Sequence, residues 1–100
     1  MIETIRKIEE WAEARNLVNG STPQAQMLKL MEEAGELAGG IAKNKPEVII
    51  DSVGDVVVVM TILCAQLDID FPQAVELAYN EIKDRKGEMR NGVFVKEEDL

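Results

Sequence analysis

The sequence predicts an all-α chain, a bundle of four helices with a short extended segment near its C-terminal end, and three observations carry that expectation. Apolar residues recur at helical intervals along most of the chain. Each of the three interruptions between apolar segments carries helix-start chemistry. The most apolar run, from Val53 to Leu67, is too long for an ordinary strand, although Val56, Val57, Val58 and Val59 favour extended structure.

Helix one is expected over about residues 2–18: Ile5, Ile8 and Ala12 are spaced at helical intervals, and Asn19-Gly20 would close it as a C-terminal cap. Ser21-Thr22-Pro23-Gln24 then offers a hydroxyl cap, a proline in the first turn and a glutamine able to reach back, so helix two should span 23–42. Gly35, Gly39 and Gly40 lower its intrinsic propensity. Gly35 reads as a place of close approach beside an acidic face, Gly39-Gly40 as looseness toward the helix end. Lys43-Asn44-Lys45-Pro46 makes the next break and opens helix three, about 46–67. That helix is apolar on nearly every side and must be covered on nearly every side. A homo-oligomer, dimer or tetramer, joined through its outward part (Val58 included) is the expected consequence. Asp70-Phe71-Pro72-Gln73 starts helix four, 71–87, with Phe71, Val75, Ala78 and Ile82 as its apolar stripe and Gly87 as its end. Asn91-Gly92 is a turn signal, and Val93-Phe94-Val95 a short extended segment before an acidic tail.

One hundred residues make a single domain, 1–100, and a domain of this size buries only about two-thirds of its unfolded surface. The net charge of −8 and pI near 4.5 argue against a nucleic-acid partner, which would need Lys and Arg facing the phosphate backbone. An anionic substrate would need metal ions to approach. The single Cys64 lies in an apolar run, so no disulfide framework exists and the thiol reads as buried and inert in a reducing compartment. Met1 to Lys7 has no signal-peptide core, and the uncharged stretch Val56 to Ala65 is too short to span a bilayer. A soluble, cytoplasmic protein with no membrane partner is expected. With no His in the chain, acid, base and metal roles fall to carboxylates, with Lys or Tyr as helpers.

Two acidic clusters hold most of the chemistry. Glu32, Glu33 and Glu36 fall within an arc of roughly 100° on helix two, and Asp51 and Asp55 sit one turn apart at the head of helix three. A glutamate run alone is most often a solvated face, and Lys29 can pair with Glu32 or Glu33. Asp is a poor helix former, however, and Asp51 and Asp55 border the most hydrophobic stretch of the chain, where unpaired anions are costly. Antiparallel packing of helices two and three would gather five carboxylates in the manner of dinuclear metal sites in bundles. Mg2+, with Mn2+ as the alternative, suits such oxygen ligands and keeps part of its shell for water and substrate phosphate. No P-loop or glycine-rich phosphate cradle is present.

In these residues the chain resembles the MazG-like, all-α nucleoside triphosphate pyrophosphohydrolases. The pattern of that family is a helix bearing E-E-x-x-E, a second bearing E-x-x-D at the start of an apolar run, and a basic, amide-bearing segment on the last helix. Glu32, Glu33 and Glu36 match the first element and Asp55 the final Asp of the second. Tyr79 to Gly87 matches the third, with Asn80 and Lys83 one turn apart. Ser52 stands where the family places a glutamate, and Asp51, facing the same way as Asp55, is expected to substitute for it. The resemblance implies Mg2+-dependent hydrolysis of a nucleoside triphosphate between its α and β phosphates, giving monophosphate and pyrophosphate. It also implies obligate homo-oligomeric assembly. On this reading Glu33, Glu36 and Asp55 are metal ligands, joined by Asp51; Glu32 or Glu33 orients or deprotonates water; and Lys83 and Asn80 bind substrate. Trp11 is either a platform for the nucleobase or a packing partner of Ile8, and Lys29 either a phosphate contact or half of a surface pair. Two other readings stand beside this one. The first is a non-catalytic helical dimerisation module with solvated or structural acidic clusters, which Ser52 supports; the second is an enzyme of the same fold acting on phosphoribosyl-ATP.

Overall fold

The computed structural model describes residues 1–100. Four helices follow one another, α1 (Ile2–Ala14), α2 (Pro23–Ala42), α3 (Pro46–Gln66) and α4 (Phe71–Ile82), and a small antiparallel hairpin of β1 (Gly87–Arg90) and β2 (Val93–Lys96) closes the order before a single 3-10 turn, Glu97–Asp99. The fold is all-α with this one two-stranded appendage.

The helices stop where a residue turns left-handed. Asn16, Asn44 and Asp68 have φ of 58°, 52° and 56°, and at each the next amide reaches back to a carbonyl five residues earlier: Leu17 to Ala12, Lys45 to Gly40, Ile69 to Cys64. This is the Schellman arrangement, built on Asn and Asp instead of Gly because their short polar side chains tolerate that conformation. Helix α1 therefore ends at Ala14, not near Val18, and Asn19-Gly20 lies in the connection beyond it. Helix α2 starts as its sequence suggests, with Thr22 Oγ1 accepting from Ala25 N at 3.1 Å and Pro23 in the first turn. The glutamine that reaches back is Gln26, to Ser21 Oγ, and not Gln24. Asp70 precedes α4 but caps no amide; its carboxylate instead pairs with Arg6 at 2.9 Å, tying the start of α4 to α1.

Helix α4 ends at Ile82, and Gly87 begins a strand instead of ending a helix. Gly87 faces Lys96 across the hairpin, where a Cβ would collide with the Val95 carbonyl and the Phe94 ring. Asn91 and Gly92 form the two-residue turn with φ of 53° and 80°, the geometry that matches strand twist in a tight hairpin.

The centre of the fold is the pair α2 and α3, folded back on one another by the short connection Lys43–Lys45. Gly40 makes the close approach: a Cβ there would lie 3.0 Å from Val48 Cγ1 and 3.2 Å from Ile49 Cγ1, whereas Gly35 and Gly39 have nothing within 4 Å. The sequence expectation is thus reversed at Gly35 and Gly40 and holds at Gly39. Gly40→Leu should lower the unfolding free energy by about 1–3 kcal/mol through overpacking. Gly39→Ala should raise it by up to about 1 kcal/mol through helix propensity. Urea unfolding of the two variants reads both signs.

Helix α1 lies on α3 through Ile5 and Ala12, and Gln66 Nε2 donates to the Val18 carbonyl at 3.3 Å. Within α3, Thr61 is fully buried and returns its hydroxyl proton to the Val57 carbonyl, and Cys64 is a buried free thiol whose pKa burial pushes up. Only nine residues are buried in the single chain, none of them on α4. The radius of gyration is 16.4 Å, against about 13 Å for a compact chain of this length. Much apolar surface is left open. By length and composition α3 is also sufficient to cross a membrane, with mean hydropathy 2.2 over its most apolar window; in this fold it is the central helix, carrying Asp51, Ser52 and Asp55 against α2.

Candidate functional site

Glu33 is the centre of the site. It lies on the face of α2 that meets α3 and is 6 % exposed, unusual for a carboxylate that has no guanidinium beside it. Its one cationic neighbour is Lys29, 3.5 Å away and also 3.4 Å from Glu32. Its Oε2 is buried with no hydrogen-bond partner. Carboxylate oxygens of Glu33, Glu36 and Asp55 all lie within 4.8 Å of one another. The pKa of Asp55 is raised, first by burial and then by the charges of Asp51 and Glu33, with Lys29 opposing. Lys29 has its own pKa raised, first by its hydrogen bond to Glu32 and then by the charge of both glutamates.

The residues present fit a divalent cation. The donors are hard oxygens with no nitrogen or sulfur among them, the set that suits Mg2+ or Mn2+. The orphaned Glu33 oxygen is the group such an ion would satisfy, and its cost without one is that of any desolvated, unpartnered acceptor.

Two cavities flank the cluster. One, of about 460 Å3, has Glu33, Asp55 and Lys29 at one side and is otherwise walled by Trp11, Leu17, Ala25, Gln26, Val58, Val59 and Ile62. The other, of about 1040 Å3, is open and polar and runs from Glu32, Glu36 and Asp51 to Lys43 and Lys45. Trp11, half exposed, comes from α1 to the first cavity, and Arg15 stacks over its ring at 4.6 Å. Lys29 is both a surface pair and a cavity wall.

Not every residue singled out in the sequence arrives here. Asp51 is exposed and stands outside the group of three, in the larger cavity beside Glu36. Ser52 is 2 % exposed, stands outside the group of three and lines the larger cavity beside Asp51. Asn80 and Lys83 line neither cavity: α4 lies beside the start of α1 and makes only a small contact with α3, and it ends before Lys83. Val58, expected to face outward, lines the Trp11 cavity. Gln26, which has no part in the sequence reading, lines it too; its spacing of seven from Glu33, two turns on one helix face, is the signal that could have found it.

Two helices folded back on a buried carboxylate centre define a class of helical proteins whose oxygen donors fit a hard cation. Within that class the sequence matches the MazG nucleotide pyrophosphohydrolase domain over residues 21–89, and the chain belongs to that family. It is also 63 % identical, over 68 residues, to an uncharacterised 18.2 kDa protein from the rep-hol intergenic region of Haemophilus phage HP1 (strain HP1c1). That similarity covers 68 % of this chain and 42 % of the phage protein, so the chain spans less than half the length of that relative. No solved structure matches.

Proposed function

We propose that this chain is a Mg2+-dependent nucleoside triphosphate pyrophosphohydrolase, active as a cytoplasmic homo-oligomer and cleaving between the α and β phosphates. The observation that carries the reading is the buried Glu33 carboxylate, its Oε2 unpartnered, grouped with Glu36 and Asp55 in a chain of this family. Glu33, Glu36 and Asp55 would hold the cation. When bound, it supplies positive charge to phosphate oxygens and makes a nearby water easier to deprotonate.

The remaining work belongs to the chain's own side chains. Glu32 is exposed at the rim of the larger cavity and tethered by Lys29, a position suited to orienting an attacking water and accepting its proton. Lys29 lines the Trp11 cavity beside Glu33 and Asp55, where its ammonium can meet a phosphate oxygen. Trp11 offers a half-exposed aromatic face to a nucleobase. Asn80 and Lys83 do not reach the cluster within one chain, and assembly with a second copy is the route by which they would meet the phosphates.

The test is a panel of canonical and modified (deoxy)nucleoside triphosphates with Mg2+ or with a chelator, both products being quantified. Equal amounts of monophosphate and pyrophosphate, lost on chelation, are expected. Release of inorganic phosphate instead, or turnover untouched by chelation, sinks the reading. The departure at Ser52 gives a second test. Asp51→Asn should raise the Mg2+ concentration needed for half-maximal activity, whereas the buried Ser52→Ala should leave it unchanged. The opposite order would place the Ser52 hydroxyl at the functional position.

A further inference from the structure

We infer that Gln26 is the residue that discriminates among nucleobases, a step that rests on the reading of the site as a nucleotide site. The cavity beside Glu33 and Asp55 is of ligand size, about 460 Å3. At one side it carries the charged groups Lys29, Glu33 and Asp55; its other walls are Trp11, aliphatic side chains and one neutral amide, Gln26. An aromatic face holds any base with little preference, since every base has a π-face. Aliphatic walls discriminate weakly as well. A site rejects the wrong partner strongly only where a hydrogen-bonding group is left unpaired, and Gln26 is the neutral group here able to impose that penalty.

The geometry of Gln26 suits the role. It is half-buried on the face of α2 that also carries Lys29 and Glu33, so a base against Trp11 and phosphates near Lys29 would meet the same helix. Its Nε2 donates to Ser21 Oγ at 3.0 Å, which holds the amide in one orientation, and no protein donor reaches its Oε1. The free oxygen accepts and the second amide hydrogen donates, the complementary pair found on a base edge. Ser21 is a positioning residue that acts through Gln26.

The experiment measures kcat/KM for ATP, GTP, CTP and UTP and their deoxy forms on the full chain, for wild type, Gln26→Leu, Gln26→Glu and Ser21→Ala. Wild type should spread its values across the bases by at least about tenfold, the worth of one desolvated hydrogen bond. Gln26→Leu should compress that spread toward unity, mainly through KM, with the Mg2+ midpoint and melting temperature held. Gln26→Glu, which replaces the amide donor by an acceptor, should reorder the bases, and Ser21→Ala should compress the spread partly. A uniform fall across all bases in Gln26→Leu would show a merely structural amide and overturn the inference, as would a wild type with no preference. If wild type turns over no nucleotide, the same spread is read from quenching of Trp11 fluorescence by the eight triphosphates. Selective quenching lost in Gln26→Leu upholds the base site while the hydrolytic reading falls; absence of quenching overturns both.

Discussion

Glu33→Gln should cost this protein at least about a hundredfold in turnover, since even the outer partners of metal ligands cost tenfold to a hundredfold when removed, and should leave the helices in place. The substitution removes the charge and keeps the volume. Asp55→Asn should do the same. Their effects on stability part from their effects on activity. In chelator, the folded protein holds the carboxylates of Glu33, Glu36 and Asp55 within 4.8 Å of one another with Lys29 as their one cationic neighbour. The pKa of Asp55 is raised, by burial first and then by Asp51 and Glu33, so the folded state binds a proton at Asp55 more readily than the unfolded chain does. Its stabilising share is present below the ordinary carboxylate range and is lost as pH rises through the raised value. Asp55→Asn removes that loss. Metal-free Asp55→Asn should therefore melt above metal-free wild type at neutral pH, and the difference should shrink on acidification. With Mg2+ the order should invert, because wild type alone gains the full binding free energy of the ion. Equal melting curves for the two proteins with and without Mg2+ would remove the cation from the site.

Helix starts were legible because their chemistry is local. Thr22 and Pro23 and then Pro46 and Pro72 sit where first turns need a hydroxyl or a residue without an amide proton. Helix ends were less so. Asn16, Asn44 and Asp68 take a conformation that glycine more often supplies, and Asn19-Gly20 offers a stronger but unused signal downstream. At α4, Gly87 reads as a helix end but is the first residue of a strand paired across the turn, and the helix stops earlier, at Ile82.

The same contrast governs the site. The approach of Glu33, Glu36 and Asp55 to one another is readable because helical spacing and the short connection fix which faces of α2 and α3 meet. Gly40 was misread because close approach is a property of the pair of helices, not of the glycine. Trp11 and Gln26 meet in one cavity only because α1 lies across α3, a tertiary fact with no local signature. Asn80 and Lys83 were placed by pattern alone. Nothing in α4 or in the residues just after it brings them to the carboxylates.

The second large effect concerns assembly. Leu28, Met31 and Ile41 on α2 are 69 %, 60 % and 58 % exposed in the single chain, and Ile50 and Val53 on α3 are 74 % and 50 % exposed. Large exposed apolar patches are rare on soluble monomers, and side chains this large and this exposed call for a cover. A second copy meeting these helices about a twofold axis would cover them, and the open shape of the chain leaves room for that partner. A carboxylate placed at position 50 discriminates between the two situations. On an isolated chain it would stand in water and cost almost nothing, whereas inside an interface it would be an unpaired, desolvated anion. Ile50→Glu should accordingly turn an assembly of at least two 11.1 kDa chains into monomer or unfolded protein, and Leu28→Glu should do likewise. Wild-type melting should rise with protein concentration, as subunit linkage requires. Light scattering of wild type at micromolar concentration decides the matter: a folded species of one chain, with Ile50→Glu equally stable, would show that α3 keeps its apolar face bare.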